Sequence, residues 1–265
     1  MVFMSGKALR LSEFINPKDG RTLLLKMDQG MMVGPLEATV DLERAVEKFS
    51  EYVDGIILSP GQAGRLIKCF LGRSAPALLV RADWTNLFRD ESFALPVQKI
   101  GHVMVASALE ALTLGAYCVV AFFFVGYEDD EDEARNMNAV TALARESERV
   151  GIPLLVEAMP IGPRITKTNY AECTDLAMRM AVEAGADVVA VPYTGDTGSF
   201  RRIVEAAKVP VLTLDFGNTE KTPIGIVKEA LEADASGMIV GARTLREPNP
   251  AENLEALKKI IHRES

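Results

Sequence analysis

Short runs of Val, Ile, Leu and Ala recur along the chain, each preceded by a helix-forming stretch that ends near Gly or Asp. AVEAGADVVAV (181–191), ALTLGAYCVVA (111–121), RVGIPLLVEA (149–158), ALEADASGMIV (230–240) and EYVDGIILS (51–59) follow this pattern, and EAAKVPVLTL (205–214) follows it with Lys208 in place of the Gly or Asp. The Gly suits a left-handed helix C-cap, and the apolar run suits a strand buried on both faces. Eight runs are found: Thr22–Asp28, Gly55–Ser59, Ala77–Asp83, Tyr117–Val125, Pro153–Met159, Asp187–Tyr193, Pro210–Asp215 and Gly237–Arg243. Helical patterns are predicted over 38–53, 61–72, 102–114, 130–150, 168–184, 199–207, 223–233 and 250–263. Strands that alternate with helices imply parallel pairing. Eight units that leave no room for a second domain favour an α/β fold of the (β/α)8 TIM-barrel type over an open doubly wound sheet. The whole chain, 1–265, is then one domain, close to the ~250 residues typical of such barrels.

Two stretches break the rhythm. Segment 84–99 (WTNLFRDESFALPVQK) is an insertion after the third strand and predicts a loop or small hairpin. Segment 160–167 (PIGPRITK) predicts a Pro/Gly-rich loop after the fifth. Both follow the carboxyl end of a strand, where barrel enzymes keep their chemistry. The acidic run Glu128–Glu133 reads as a solvated helix start, where carboxylates favour the helix dipole.

Residues two apart on a barrel strand point the same way. Lys26 and Asp28 therefore share a face of the first strand, and Asp28 comes last, at the catalytic rim. The third strand places Arg81 and Asp83 together, the fifth offers Glu157, and the seventh puts Asp215 on the side of Thr213. The eighth aligns Gly241 with Arg243, and Tyr193 follows Ala190 and Pro192 on the sixth. Charged groups inside a barrel are costly unless paired or used. The plain alternative is internal ion pairing, such as Lys26 with Glu157 or Arg81 with Asp28. Several strands doing this at one end point to a site.

Composition narrows the functions. The net charge of −8 argues against a nucleic-acid groove or an anionic membrane as the main partner. Cys69, Cys118 and Cys173 are widely spaced and form no CxxC, so structural zinc and a disulfide framework are not expected and a reducing, cytoplasmic compartment is. The N-terminus lacks the apolar run of a signal peptide, and the longest apolar stretch, near Cys118–Val125, is too short for a bilayer. His102 and His262, the only histidines, both fall in helical patterns away from strand ends. A Ser-His-Asp triad or a histidine-rich metal site is therefore not expected. A hard cation on Asp28, Asp83, Glu157 and Asp215 stays open.

With these residues in view, the chain resembles the archaeal-type class I fructose-bisphosphate aldolases, whose relatives include aminodideoxyheptulosonate synthase and the autoinducer-2 thiolase. MDQGMMVGP (27–35) is similar to the family's aspartate-histidine-glycine segment, with Gln29 in the histidine's place. Pro153–Gly162, GADVVAVPYTGDTGSF (185–200) and VGARTLREPNP (240–250) resemble the segments of strands five, six and eight. The resemblance implies an aldehyde-lyase that acts on a small sugar, sugar phosphate or keto substrate, and a homo-oligomer. It also sets departures in relief. The family's Schiff-base lysine falls on Pro192, a second lysine on Ala190, and the proton-transferring tyrosine on Met159. The family's double glycine, which helps hold a phosphate, falls on Leu214-Asp215-Phe216, and its Gly-Arg reads Gly241-Ala242-Arg243. An aspartate there would repel a phosphate dianion by a few kcal/mol at an effective dielectric of ~20.

Three readings follow. In the first, the imine-forming amine has moved to Lys26, made nucleophilic by burial beside Arg81, with Asp28 or Glu157 moving protons and no cofactor. Tyr193 joins that catalytic set, and Asp215, Gly241 and Arg243 form the substrate or phosphate end. In the second, the carboxylates hold a divalent cation that polarises a carbonyl in a lyase or isomerase. In the third, the barrel only binds a small polar ligand or serves in an assembly.

Overall fold

Eight parallel strands close on themselves, each hydrogen-bonded to two neighbours, so the barrel has no free edge. The computed structural model describes residues 5–34, 36–91 and 93–263. Residues 1–4, 264 and 265, Pro35 of the MDQGMMVGP segment and Ser92 of the insertion lie outside the described residues. In chain order, α1 (Ser5–Leu11) leads into β1 (Thr22–Lys26), α2 (Gly30–Val33), α3 (Leu42–Phe49), β2 (Gly55–Leu58) and α4 (Pro60–Arg65). Strand β3 (Ala77–Arg81) is followed by two short strands, β4 (Asp83–Thr85) and β5 (His102–Met104), then α5 (Ala108–Thr113). The regular units β6 (Cys118–Val125), α6 (Asp130–Val150), β7 (Leu154–Pro160), α7 (Tyr170–Ala184), β8 (Val188–Tyr193) and α8 (Thr197–Ala207) come next. Strand β9 (Val211–Gly217), α9 (Pro223–Glu232), β10 (Gly237–Val240), α10 (Ala242–Leu245) and α11 (Pro250–His262) complete the circuit. Among the described residues no helix is long and apolar enough to cross a membrane.

The strand order β1-β10-β9-β8-β7-β6-β3-β2 leaves β4 and β5 outside the barrel. They pair antiparallel, with Asp83 opposite Met104 and Thr85 opposite His102. The helix expected over 102–114 therefore begins only at Ala108, and the insertion is a hairpin. The run His102-Val103-Met104 alternates half-buried and exposed positions, a period of two that suits a strand. Ser107 then starts α5 with a capping box, its side chain accepting from the Glu110 amide. Gly241 to Arg243 likewise leave the strand: β10 stops at Val240 and Arg243 sits on α10.

Alternation along the strands builds two cores. Leu23, Ile56, Val80, Val119, Val156, Val191 and Met238 pack outward against the helices. Leu24, Ile57, Leu79, Val120, Phe122, Leu155, Ala190, Leu212 and Ile239 fill the barrel. At the seam between β1 and β10, Gly237 has φ +134°, and a Cβ there would lie 1.9 Å from the Thr22 carbonyl oxygen. Only a glycine lets those strands meet. Gly162, φ +140°, does the same for the loop after β7, where a Cβ would lie 2.0 Å from the Gly126 carbonyl oxygen. That contact lays Ile161 over the carboxyl end of the barrel.

Candidate active site

Five ionisable side chains meet in a buried row at the carboxyl end of the barrel. Lys26 Nζ donates to Glu157 Oε2 at 2.7 Å. The other Glu157 oxygen accepts from Arg81 Nη2. Arg81 Nε donates to Asp28 Oδ2 at 2.7 Å, and its Nη1 faces Asp83 Oδ1 at 3.7 Å, an electrostatic contact longer than a hydrogen bond. The guanidinium lies over the Phe122 ring, 3.8 Å from its centroid. Arg81 and Glu157 are fully buried. Burial works against the Arg81 charge, yet Glu157, Asp28 and Asp83 more than offset it and hold the guanidinium firmly protonated. Burial likewise works against the Glu157 carboxylate. The charges of Lys26 and Arg81 prevail and keep its carboxyl below the usual range, so Glu157 is an anion at neutral pH.

Asp83 ties this row to the hairpin. Its Oδ2 accepts from the Phe122 amide at 2.5 Å and contacts His102 Nε2 at 2.7 Å. Asn136 on α6 braces the same corner, accepting from the Phe124 amide and donating to the Phe122 carbonyl. His102 is thus a structural partner of a strand-end carboxylate, which corrects its expected place in a helix.

Above the row opens a cavity of about 560 Å³ whose lining includes Lys26, Asp28, Gln29, Asp215, Gly241 and Arg243. Lys26 is the one lysine, among the described residues, that lines it. Gly241 makes room for it, since a Cβ there would press on Lys26 Cε and Gln29 Nε2 at 3.0 Å each. Met32, Phe88, Phe122, Ile161 and Phe216 supply apolar wall. Arg243 donates to the Asp215 and Lys221 carbonyls at 3.0 and 2.7 Å. Its partners are neutral, so its charge stays available to the cavity.

The site lies at the carboxyl rim of an eight-stranded α/β barrel and holds a buried lysine–carboxylate pair. A profile of the DeoC/LacD family aldolases matches residues 22–247. The chain belongs to the DeoC/LacD aldolase family. It is an aldolase-type enzyme, a carbon–carbon lyase. An uncharacterized aldolase of Saccharolobus solfataricus is 29% identical over 98% of this chain and 95% of that protein. The 2-amino-3,7-dideoxy-D-threo-hept-6-ulosonate synthase of Halobacterium salinarum is 28% identical over 97% of this chain and 92% of its own. A solved archaeal fructose 1,6-bisphosphate aldolase superposes with a TM-score of 0.79 at 24% identity, covering 98% of this chain and 99% of the other. At that identity the likeness shows a shared barrel.

Against this family background, the structure brings Lys26, Asp28, Arg81 and Glu157 together as one network. Both ion pairs expected as the plain alternative, Lys26 with Glu157 and Arg81 with Asp28, are present. Tyr193 is a correction. It belongs to the outer core, and its hydroxyl donates to Glu229 on α9. Burial, then the Glu229 contact, pushes its phenol above the ordinary value, and it does not line the cavity. The four carboxylates proposed for a cation are each engaged elsewhere. Among the described residues no three His, Cys, Asp or Glu side chains are placed to share a metal ion. The Gly241 amide, expected to hold a phosphate, already donates to Asp215 Oδ2 at 2.9 Å. Sequence reasoning did not single out Phe88, Phe122, Phe216 or Arg246 as cavity-lining residues. Alternation from Leu212 and Leu214 would have placed Phe216 inside.

Proposed function

We propose that this aldolase forms an imine between Lys26 and the carbonyl of a small sugar-like or keto substrate. The observation that carries the reading is that Lys26 is the one primary amine, among the described residues, lining the cavity. The resemblance sets the family's Schiff-base lysine on Pro192, whose side chain carries no amine. A solved aldolase of the same fold, with a TM-score of 0.77, is described as having its catalytic lysine covalently bound to the carbinolamine intermediate. Lys26 supplies the corresponding amine here from β1.

The steps follow from the geometry. Nζ passes a proton to Asp28 and attacks the carbonyl carbon; Asp28 returns the proton to the carbinolamine hydroxyl, which leaves as water, and an iminium remains. The iminium draws electrons from the bond between the α and β carbons of the substrate as a base takes the proton of the β-hydroxyl. An aldehyde leaves, and protonation and hydrolysis of the enamine restore the lysine. Asp28 is the base, because Arg81 engages its Oδ2 while the side chain faces the cavity. Glu157 has both oxygens engaged and a lowered proton affinity, so it serves as a fixed anion. The iminium carries the same charge as the ammonium it replaces, and the pair with Glu157 stays balanced. No cofactor takes part. The enzyme works in carbohydrate metabolism in the cytoplasm, as a homo-oligomer and without a nucleic-acid or membrane partner.

Retro-aldol cleavage of a panel of hydroxyketones, read as released aldehyde, tests the reading. Lys26→Met should lose about 10³-fold or more in kcat with its circular dichroism unchanged, roughly the scale of removing a covalent catalyst. EDTA should leave wild-type activity intact. Activity retained in Lys26→Met, or lost on chelation, contradicts it.

A further inference from the structure

Three donors converge on one buried point beside the cavity. The Gly241 amide, the Thr244 amide and the Thr244 hydroxyl all donate to Asp215 Oδ2, at 2.9, 3.2 and 2.8 Å. Arg243 lies alongside, donating to the Asp215 backbone carbonyl. Convergent amides and a hydroxyl next to an arginine are the groups with which proteins hold a phosphate oxygen. Here they are spent on the chain's own carboxylate, only 2% exposed.

We infer that Asp215 is a specificity-determining residue, a built-in anion that closes this cradle to phosphate and limits the enzyme to carbonyl substrates unphosphorylated at this end. Two effects act in the same direction. A phosphate entering here finds its hydrogen-bond donors already used, and it must sit against a fixed negative charge in a site largely removed from water. Arg243 and Arg246 also line the cavity, and the charge of Arg243 is not spent on a carboxylate, but the amides and hydroxyl that would seat a phosphate oxygen beside Arg243 are held by Asp215. The apolar lining of the same cavity fits the same class of substrate. Phe216, adjacent to Asp215, and Phe88, Phe122 and Met32 offer contact to carbon and no hydrogen bonds from their side chains. A neutral hydroxyalkyl or apolar end is accepted in this cavity beside Asp215; a phosphorylated one is not.

The inference rests on the cavity being the substrate site, and its test reads binding without catalysis. A failed search for aldolase activity would therefore leave it standing or falling by itself. Inorganic phosphate is titrated at constant ionic strength into the full chain, and binding is followed by thermal shift and calorimetry. Wild type should show no saturable binding up to ~10 mM. Asp215→Ser, which frees the three donors, should gain saturable binding at least ~10-fold tighter, lost again in Asp215→Ser/Arg243→Gln. Two results overturn the proposal: saturable millimolar binding to wild type that Arg243→Gln abolishes, or a folded Asp215→Ser that gains nothing. The wild-type titration decides even if the variant does not fold.

Discussion

Replacing Arg81 with Met separates the charge of the buried network from its bulk. Methionine fills most of the arginine stem's volume, so cavity formation contributes little and the loss is electrostatic. Arg81 contacts three carboxylates: Asp28 at 2.7 Å, Asp83 at 3.7 Å, and Glu157. Each pair, with charge centres roughly 4 Å apart, attracts by ~4 kcal/mol at an effective dielectric of ~20. The cost of dehydrating the guanidinium offsets much of that gain. In the variant, Glu157 keeps Lys26, and Asp83 keeps His102 and the Phe122 amide. Asp28 loses its ionic partner and is left almost fully buried. The contact with the Phe122 ring is lost as well. We expect a net loss of about 3–5 kcal/mol at pH 7.5, the range found when one member of a buried pair is removed. The loss should shrink toward pH 5. A buried carboxylate without a counter-charge is penalised as an ion, and acid relieves that penalty. Glu157, whose lowered proton affinity makes its contribution present above its unfolded value and lost only in acid, adds no slope of its own to wild type over this window. Urea unfolding followed by circular dichroism at pH 5, 6.5 and 8 gives the comparison. A loss below ~1 kcal/mol at pH 7.5, or one that grows toward pH 5, would refute the reasoning.

Two other perturbations probe parts of the barrel outside this network. At the amino end, His262 contacts Asp19 at 2.8 Å and Asp54 at 2.9 Å. The Asp54 contact, against opposing burial, raises the imidazole to about 9. A folded value above the unfolded ~6.5 means that the stabilisation is complete below pH ~6.5 and lost as pH rises through ~9. With solvent screening at the partly exposed aspartates, about 2 kcal/mol is expected. His262→Gln should cost that much at pH 6 and almost nothing at pH 10 by chemical denaturation, and a difference independent of pH would contradict it. Tyr193→Phe removes the hydroxyl that donates to Glu229 on the outer side of the barrel. It should cost about 1 kcal/mol in stability and leave kcat within about twofold, whereas a catalytic tyrosine would lose far more.

The barrel was readable because its strands carry nearly continuous apolar runs and several helices, such as α6 and α7, end in a recognisable Gly. Acids and bases inside strands then exposed the site, since Lys26, Arg81 and Glu157 have no reason to interrupt a buried run unless they meet. Features that depend on contacts between distant segments were less legible. His102 was misplaced because its partner, Asp83, is brought alongside by a hairpin that turns through the 84–99 insertion. Tyr193 was misjudged because the register shifts between Val191 and Tyr193, and its hydroxyl is claimed by α9. Asp215 looked like a substrate contact from its strand position. Its partners Gly241 and Thr244 lie at the start of a short helix that a strand reading through Arg243 conceals.

The central claim is that a covalent bond forms at Lys26. Wild-type enzyme incubated with a hydroxyketone that it cleaves, then treated with borohydride, should gain the mass of the reduced adduct. Peptide mapping should place that mass on the peptide containing Lys26, and Lys26→Met should take up none. An active enzyme that traps no adduct, or one whose adduct lies on another lysine, would contradict the account.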